Sequence, residues 1–192
     1  MQMQDSVADF GLGEYIRGQN DDGVDINTAL DGREYTFPVT EDVASASGMT
    51  NRVVGRRVVA RILRNKTGNP LAAGDIVVID IDGGLAGVGV ADAKADLGDR
   101  CCLVVDPALG SSTVAANDLF YGIVKGPSKV RQGATAVALT AGDAIKAGNG
   151  GVVADATLGT DHGLVLGTTL QASASPADDA GLVEVELAPE WV

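Results

Sequence analysis

Apolar runs in this chain stop near nine residues, even in the stretch from Gly83 to Ala91, and turn-forming glycines, aspartates, asparagines and prolines punctuate them. A helix needs about 20 apolar residues to cross a bilayer, so no such span is expected. The runs are also broken too regularly to build long amphipathic helices. They suit a succession of short strands joined by tight turns. Ile76 to Ile81 closes on Asp82-Gly83-Gly84, Arg100 to Val105 on Asp106-Pro107, and Leu119 to Lys125 on Gly126-Pro127. Ala134 to Leu139, Asp143 to Lys146, Gly151 to Ala154, Gly163 to Gln171 and Leu182 to Leu187 continue the series. Leu85 to Ala91 reads as a bent, glycine-rich strand. Asn117 and the stretch from Asp92 to Gly98 offer no more than short helical turns. The 26 glycines, roughly twice the usual share, fit a chain with many turns. An all-β domain, a small β-barrel or β-sandwich, is the expected fold.

Leu71-Ala72-Ala73-Gly74-Asp75 has an echo in Leu139-Thr140-Ala141-Gly142-Asp143. Both predict a tight turn entering a strand, with Gly supplying positive φ and Asp bonding the backbone beside it. Two copies make a shared turn chemistry, not a repeat architecture.

Charge is distributed unevenly. Residues 1–51 hold ten acids against Arg17 and Arg33, whereas residues 52–66 hold Arg52, Arg56, Arg57, Arg61, Arg64 and Lys66 with no acid. The whole chain carries −12. The basic stretch has no aromatic on which a base could stack, and the rest of the chain repels phosphates, so no nucleic-acid partner is expected. An acidic partner, or the chain's own acidic N-terminal segment, suits it better. Its core, Arg57 to Leu63, is compatible with a helix or a strand, and its β-branched residues favour the strand. That strand would place Val58, Ala60 and Ile62 on one face.

Residues 1–51 lack sustained periodicity, yet they contain Phe10, Tyr15, Tyr35 and Phe37, four of the chain's seven aromatics. An extended arm anchoring its aromatics in another subunit would account for this. So would packing of those rings on the chain's own sheet, and the residues leave both open. The expected organisation is an arm over 1–51 and a β domain over 52–192. The candidate partner-binding residues are Phe10, Tyr15, Tyr35, Phe37, Arg52, Arg56, Arg57, Arg61 and Arg64.

Catalytic signatures are missing. His162 is the single histidine, and it sits in a turn-like Thr-Asp-His-Gly sequence. The nucleophile elbow and both glycine-rich phosphate loops are absent. Asp21, Asp22 and Asp25, and Asp80 with Asp82, fail the EF-hand spacing. Cys101 and Cys102 are neighbours, poorly placed to bridge each other, and read as small reduced hydrophobes. No cofactor, metal or catalysis is expected. The start, Met1-Gln2-Met3-Gln4-Asp5, has neither the basic residues nor the apolar stretch of a signal peptide.

The order of units in the second half is distinctive. The turn-and-strand Thr135 to Asp143 is followed by Gly150 to Ala156, then Gly163 to Leu170, then the alternating Ala180 to Leu187. Together with the run from Val58 through the first Leu-x-Ala-Gly-Asp turn, this resembles the capsid decoration, or cement, proteins of tailed bacteriophages. The resemblance covers about residues 56–188. It implies a β domain on the outer capsid surface, assembled as an oligomer, commonly a trimer, across capsomer junctions. The implied partners are the major capsid protein and other copies of the chain, with no membrane and no nucleic acid. A glycan-binding or other virion-surface β-sandwich is the alternative. Sugar platforms usually use Trp and Tyr, and the one Trp here, Trp191, is next to last.

Overall fold

A computed structural model describes residues 10–50, 53–79, 90–133, 138–157, 160–161, 163–172 and 181–189. The fold is all-β, as the turn-punctuated sequence predicts. Its strands are β1 (Tyr15–Ile16), β2 (Glu34–Pro38), β3 (Arg57–Asn65), β4 (Leu71–Ala72), β5 (Ile76–Ile79), β6 (Val90–Lys94) and β7 (Cys102–Val105). They continue with β8 (Thr113–Val114), β9 (Leu119–Arg131), β10 (Ala144–Gly148), β11 (Val152–Asp155), β12 (Val165–Thr169) and β13 (Leu182–Leu187). One short helix, α1 (Glu41–Ala46), lies between β2 and β3.

The spine is β9, 13 residues long. Along its first half it pairs antiparallel with β3 and β7, and along its second half with β13. Because β3 also pairs with β6, β6 with β5, and β5 with β7, five strands close a ring. Side-chain alternation fills that ring. Leu63, Val77, Ile79, Leu103, Val105, Phe120 and Val124 form one buried cluster there. Their sequence neighbours Ile62, Ile76, Val104, Tyr121 and Ile123 belong to a second cluster, on the opposite faces of the same strands. From the far half of β9 the sheet runs outward as β13, β12, β10 and β11. The sheet as a whole is therefore not a closed barrel.

Several expectations change. Gly126-Pro127 does not end the strand of Leu119 to Lys125; β9 runs through it to Arg131. At this point β9 exchanges neighbours, from Lys125 opposite Val59 of β3 to Gly126 opposite Leu187 of β13. Gly126 has φ +102°, and a Cβ there would lie 2.3 Å from the Arg57 carbonyl oxygen. The pairing of β9 with β3 ends at Lys125, so Pro127, which has no N–H to donate, leaves no ladder bond to β3 unmade. The stretch from Asp92 begins as strand, within β6, and Asn117 takes a left-handed φ of 70°. Of the expected strand from Ala134 to Leu139, residues 134–137 lie outside the described residues, as does most of Leu85 to Ala91.

The two echoed turns form as expected. Ala72 N–H donates to Asp75 Oδ2 at 2.8 Å, and Thr140 N–H to Asp143 Oδ2 at 2.6 Å. Each leads into a strand, β5 and β10. They differ in burial: Asp75 is fully buried beside Lys94 Nζ (2.7 Å) and Arg131 Nε (2.9 Å), which ties β5 to β6 and β9.

Residues 10–50 are folded onto the sheet. β1 pairs with the start of β9 and β2 with β3. Phe10, Leu30, Val39, Ala44 and Met49 are buried in the second cluster. The expected boundary at 51/52 thus runs through the core. Backbone bonds span it: Val39 N–H to Arg56 O, Gly55 N–H to Val39 O, and Ile62 N–H to Arg33 O. The reason is the parity of β3, which turns Val58, Ala60 and Ile62 toward the cluster in which this segment's Phe10, Leu30, Val39, Ala44 and Met49 are buried.

Gly126 and Gly142 both have positive φ, but only Gly126 also lacks room. Gly126→Ala should therefore destabilise by at least about 2 kcal/mol more than Gly142→Ala, for which roughly 1 kcal/mol of backbone strain is expected. Urea unfolding of the two variants checks this, and equal losses would contradict the exchange point described at Gly126.

Candidate functional site

Arg64 shares its face of β3 with Val58, Ala60 and Ile62, so the N-terminal segment closes over it. Its side chain is 1% exposed. The five guanidinium N–H groups are matched by five hydrogen bonds. Nε and Nη2 fork onto Asp31 Oδ2 and Oδ1, each at 3.1 Å. Nη1 donates to the carbonyls of Gly18 (2.6 Å) and Asn117 (3.3 Å), and Nη2 also to that of Ile26 (2.8 Å). Residue 18 must be glycine: a Cβ would lie 1.6 Å from Asn117 O and 2.7 Å from Arg64 Nη1.

The neighbouring charges follow the same logic. Lys66 Nζ lies 3.0 Å from Asp25 Oδ2, and Arg61 Nη2 lies 3.2 Å from Glu34 across the β2–β3 pair. The Asp25 carboxyl is held below its ordinary range, mainly by the Gln19 side-chain hydrogen bond and then by Lys66. Arg56 turns elsewhere, to Glu186 of β13 at 2.6 Å. Much of the basic stretch is therefore neutralised by the acidic segment that precedes it. For Arg64 this is a correction: a guanidinium so enclosed has no surface with which to meet another molecule. Arg57 is exposed, and Arg52 lies outside the described residues.

Three of the four early aromatics gather on a fifth that sequence reasoning missed. Phe10 stacks on Tyr121 with ring centroids 4.5 Å apart, and Phe37 and Tyr35 meet its edge at 5.0 and 6.0 Å. The Tyr121 hydroxyl donates to Phe10 O at 2.9 Å. Phe10 is buried, so its ring anchors this segment to its own sheet. Tyr35 and Phe37 keep partial exposure. Tyr15 stands apart at 44% exposed. The nine candidates do not form one patch. Tyr15 lies opposite Phe120, which pairs with Leu63, while Arg57 is six residues back along β3, roughly 20 Å away.

A cavity of about 230 Å³ opens between the segment before β3 and strands β12 and β13, lined by Thr50, Val53, Arg56, Leu170, Gln171 and Glu184. Both Glu184 oxygens accept from Thr50, one from its N–H at 3.1 Å and the other from its hydroxyl at 3.0 Å. Among the described residues no group of His, Cys, Asp and Glu could hold a metal. In the same residues no helix is long and apolar enough to cross a membrane. His162 lies outside them. Cys101 and Cys102 are free thiols, and burial pushes Cys102 up to about 12, so it stays protonated.

The sequence matches no protein family and no curated protein. Among solved structures the chain is similar to the N base of head fiber gp8.5 in bacteriophage phi29, at 16% identity and a TM-score of 0.47. The likeness covers 68% of this chain and 94% of that one. Similarity at this level gives no purchase on function.

Breaking a buried ion pair strands its partner's charge. Arg64→Met should therefore cost about 3–5 kcal/mol. Arg17→Ala, which breaks an exposed pair with Asp21, should stay within about 0.5 kcal/mol. Thermal and urea unfolding distinguish the two, and comparable losses would contradict the asymmetry.

Proposed function

We propose that this chain is a structural protein of a tailed-phage virion that binds the outer capsid surface across capsomer junctions, as a homo-oligomer, and stabilises the shell without catalysis. One observation carries the reading. Of the consecutive units on which the resemblance to decoration proteins rests, the last three fold as β11, β12 and β13, and the described end of the first, Thr140 to Asp143, is the turn that enters β10; the four strands are a single antiparallel set built outward from β9. Charge supports it too. With much of its basic stretch engaged internally, a chain of net charge −12 presents a mainly acidic exterior that does not attract packaged DNA. The mechanism is mechanical: contacts bridging neighbouring capsid subunits must break before the shell opens, and many copies on one lattice gain avidity from individually modest contacts. The major capsid protein is the proposed partner, and a trimer the proposed oligomer. Of the nine candidate residues, Tyr15, Arg56 and Arg57 keep the most surface for that contact, with Tyr35 and Phe37 half-buried beside them.

The test is co-sedimentation with expanded, undecorated heads assembled from a tailed-phage major capsid protein encoded with this chain. Saturable binding and a raised disruption temperature of the shell are expected. Tyr15→Ala combined with Arg57→Glu should weaken binding at least about tenfold while leaving the fold intact. Deleting residues 1–50 would not serve, because it removes part of the core. Failure to bind heads, with affinity for sugars on a glycan array instead, would overturn the proposal.

A further inference from the structure

We propose that the turn Asn149-Gly150 is a self-modifying site, at which Asp96 and the Leu97 N–H promote conversion of the Asn149 amide into a carboxylate in the folded protein. Asn149-Gly150 is the one Asn-Gly pair among the chain's seven asparagines. A glycine after asparagine leaves the following amide nitrogen unshielded by a side chain, so that nitrogen can close a five-membered ring onto the Asn Cγ. The pair lies at the tip of the β10–β11 hairpin, and both residues are exposed. Gly150 has φ +79°, and a Cβ there would meet nothing within 4 Å, so the space around it is open.

Two partners from the segment after β6 address the two reacting groups. Leu97 N–H donates to Asn149 Oδ1 at 2.9 Å, which fixes the side-chain carbonyl. Gly150 N–H donates to Asp96 Oδ1 at 2.9 Å. Asp96 is itself held in a turn closed in both directions: its N–H donates to Asp99 Oδ2 at 2.7 Å, and Asp99 N–H donates to Asp96 O at 3.1 Å. In the resting turn these are ordinary hydrogen bonds. As the nitrogen attacks, its proton becomes acidic and negative charge grows on Oδ1. A carboxylate on the one and an N–H on the other therefore bind the transition state more tightly than the resting amide. That difference sets the direction: the contacts accelerate the reaction.

The step balances without an oxidant or cofactor. Gly150 N bonds to Asn149 Cγ as its proton passes to Asp96 Oδ1 and the carbonyl electrons move onto Asn149 Oδ1. The adduct then collapses, the bond from Cγ to Nδ2 breaks, and Nδ2 leaves as ammonia with the proton that Asp96 held. The cyclic imide takes up one water, and opening at either carbonyl yields aspartate or isoaspartate at position 149. Isoaspartate adds a methylene to the backbone close to Gly151, whose N–H donates to Ala95 O and whose carbonyl accepts from Ile76 N–H, each at 2.8 Å. Those two bonds hold the hairpin tip against β5 and the end of β6, so the modification loosens the grip of the outer strands on the ring.

The test compares the purified chain with a synthetic peptide of residues 147–153 at neutral pH. Loss of the Asn149 amide is followed by peptide mass spectrometry, and isoaspartate is resolved by chromatography. The folded chain should convert about tenfold faster than the peptide, which lacks Asp96 and Leu97. Asp96→Asn keeps an oxygen for the Gly150 N–H but cannot take its proton, so it should slow the folded chain toward the peptide's rate. A folded chain that converts no faster than the peptide would overturn the proposal, because the contacts would then shield the amide. An Asp96→Asn rate equal to that of the unaltered chain would overturn it too. If that variant does not fold, the comparison of the unaltered chain with the peptide decides alone.

Discussion

Enclosing a guanidinium at 1% exposure requires that each of its donors meet an acceptor and that its charge be answered, and Arg64 achieves both with the segment that precedes it. Asp31 supplies the charge, while Gly18 and Ile26 supply carbonyls that only a folded first segment can bring there. Much else follows from this enclosure. It brings β2 beside β3, lays Leu30 and Val39 on the outer face of the ring, and forces glycine at position 18. Without that segment, the face of β3 carrying Val58, Ala60 and Ile62 would lose part of its cover and Arg64 its Asp31 counter-charge.

The same arrangement separates interior from exterior electrostatics. Six of the fourteen basic residues lie between 52 and 66, yet Arg61, Arg64 and Lys66 meet acids of the first segment, and Arg56 meets Glu186. A basic stretch in sequence thus becomes a set of internal and short-range pairs in space. For a protein proposed to sit on a shell, this leaves recognition to partly exposed rings and a few peripheral arginines. The bulk of the surface stays acidic. One continuous strand, β9, belongs to both the ring and the open extension and joins the two.

Local patterns were legible in the sequence and long-range partners were not. Leu182 to Leu187 is a strand to the residue, and the two Ala-Gly-Asp turns close as their chemistry dictates, because both are decided by near neighbours. The α1 helix was missed although Thr40 accepts from Val43 N–H, with Glu41 and Asp42 in the first turn. Six residues offer too little periodicity to stand out. Gly126-Pro127 looked like a strand end because its role depends on β3 stopping and β13 starting beside it. Tyr121 and Asp106 were legible only as a strand residue and a strand end, and their distant contacts were not: one collects rings from residues 10–37, and the other binds Gly13 from 93 positions away. Among the candidate contact residues, Phe10 and Arg64 are enclosed by partners distant in sequence. Nothing local to them reveals what covers them.

The central claim is that the buried charge of β3, on Arg64, is neutralised by the chain's own first segment. A double-mutant cycle over Arg64→Met and Asp31→Asn, read by urea unfolding, measures that coupling directly. For a forked, enclosed pair the coupling should reach about 2 kcal/mol or more. A coupling indistinguishable from zero would contradict the account, since Arg64 and Asp31 would then act independently.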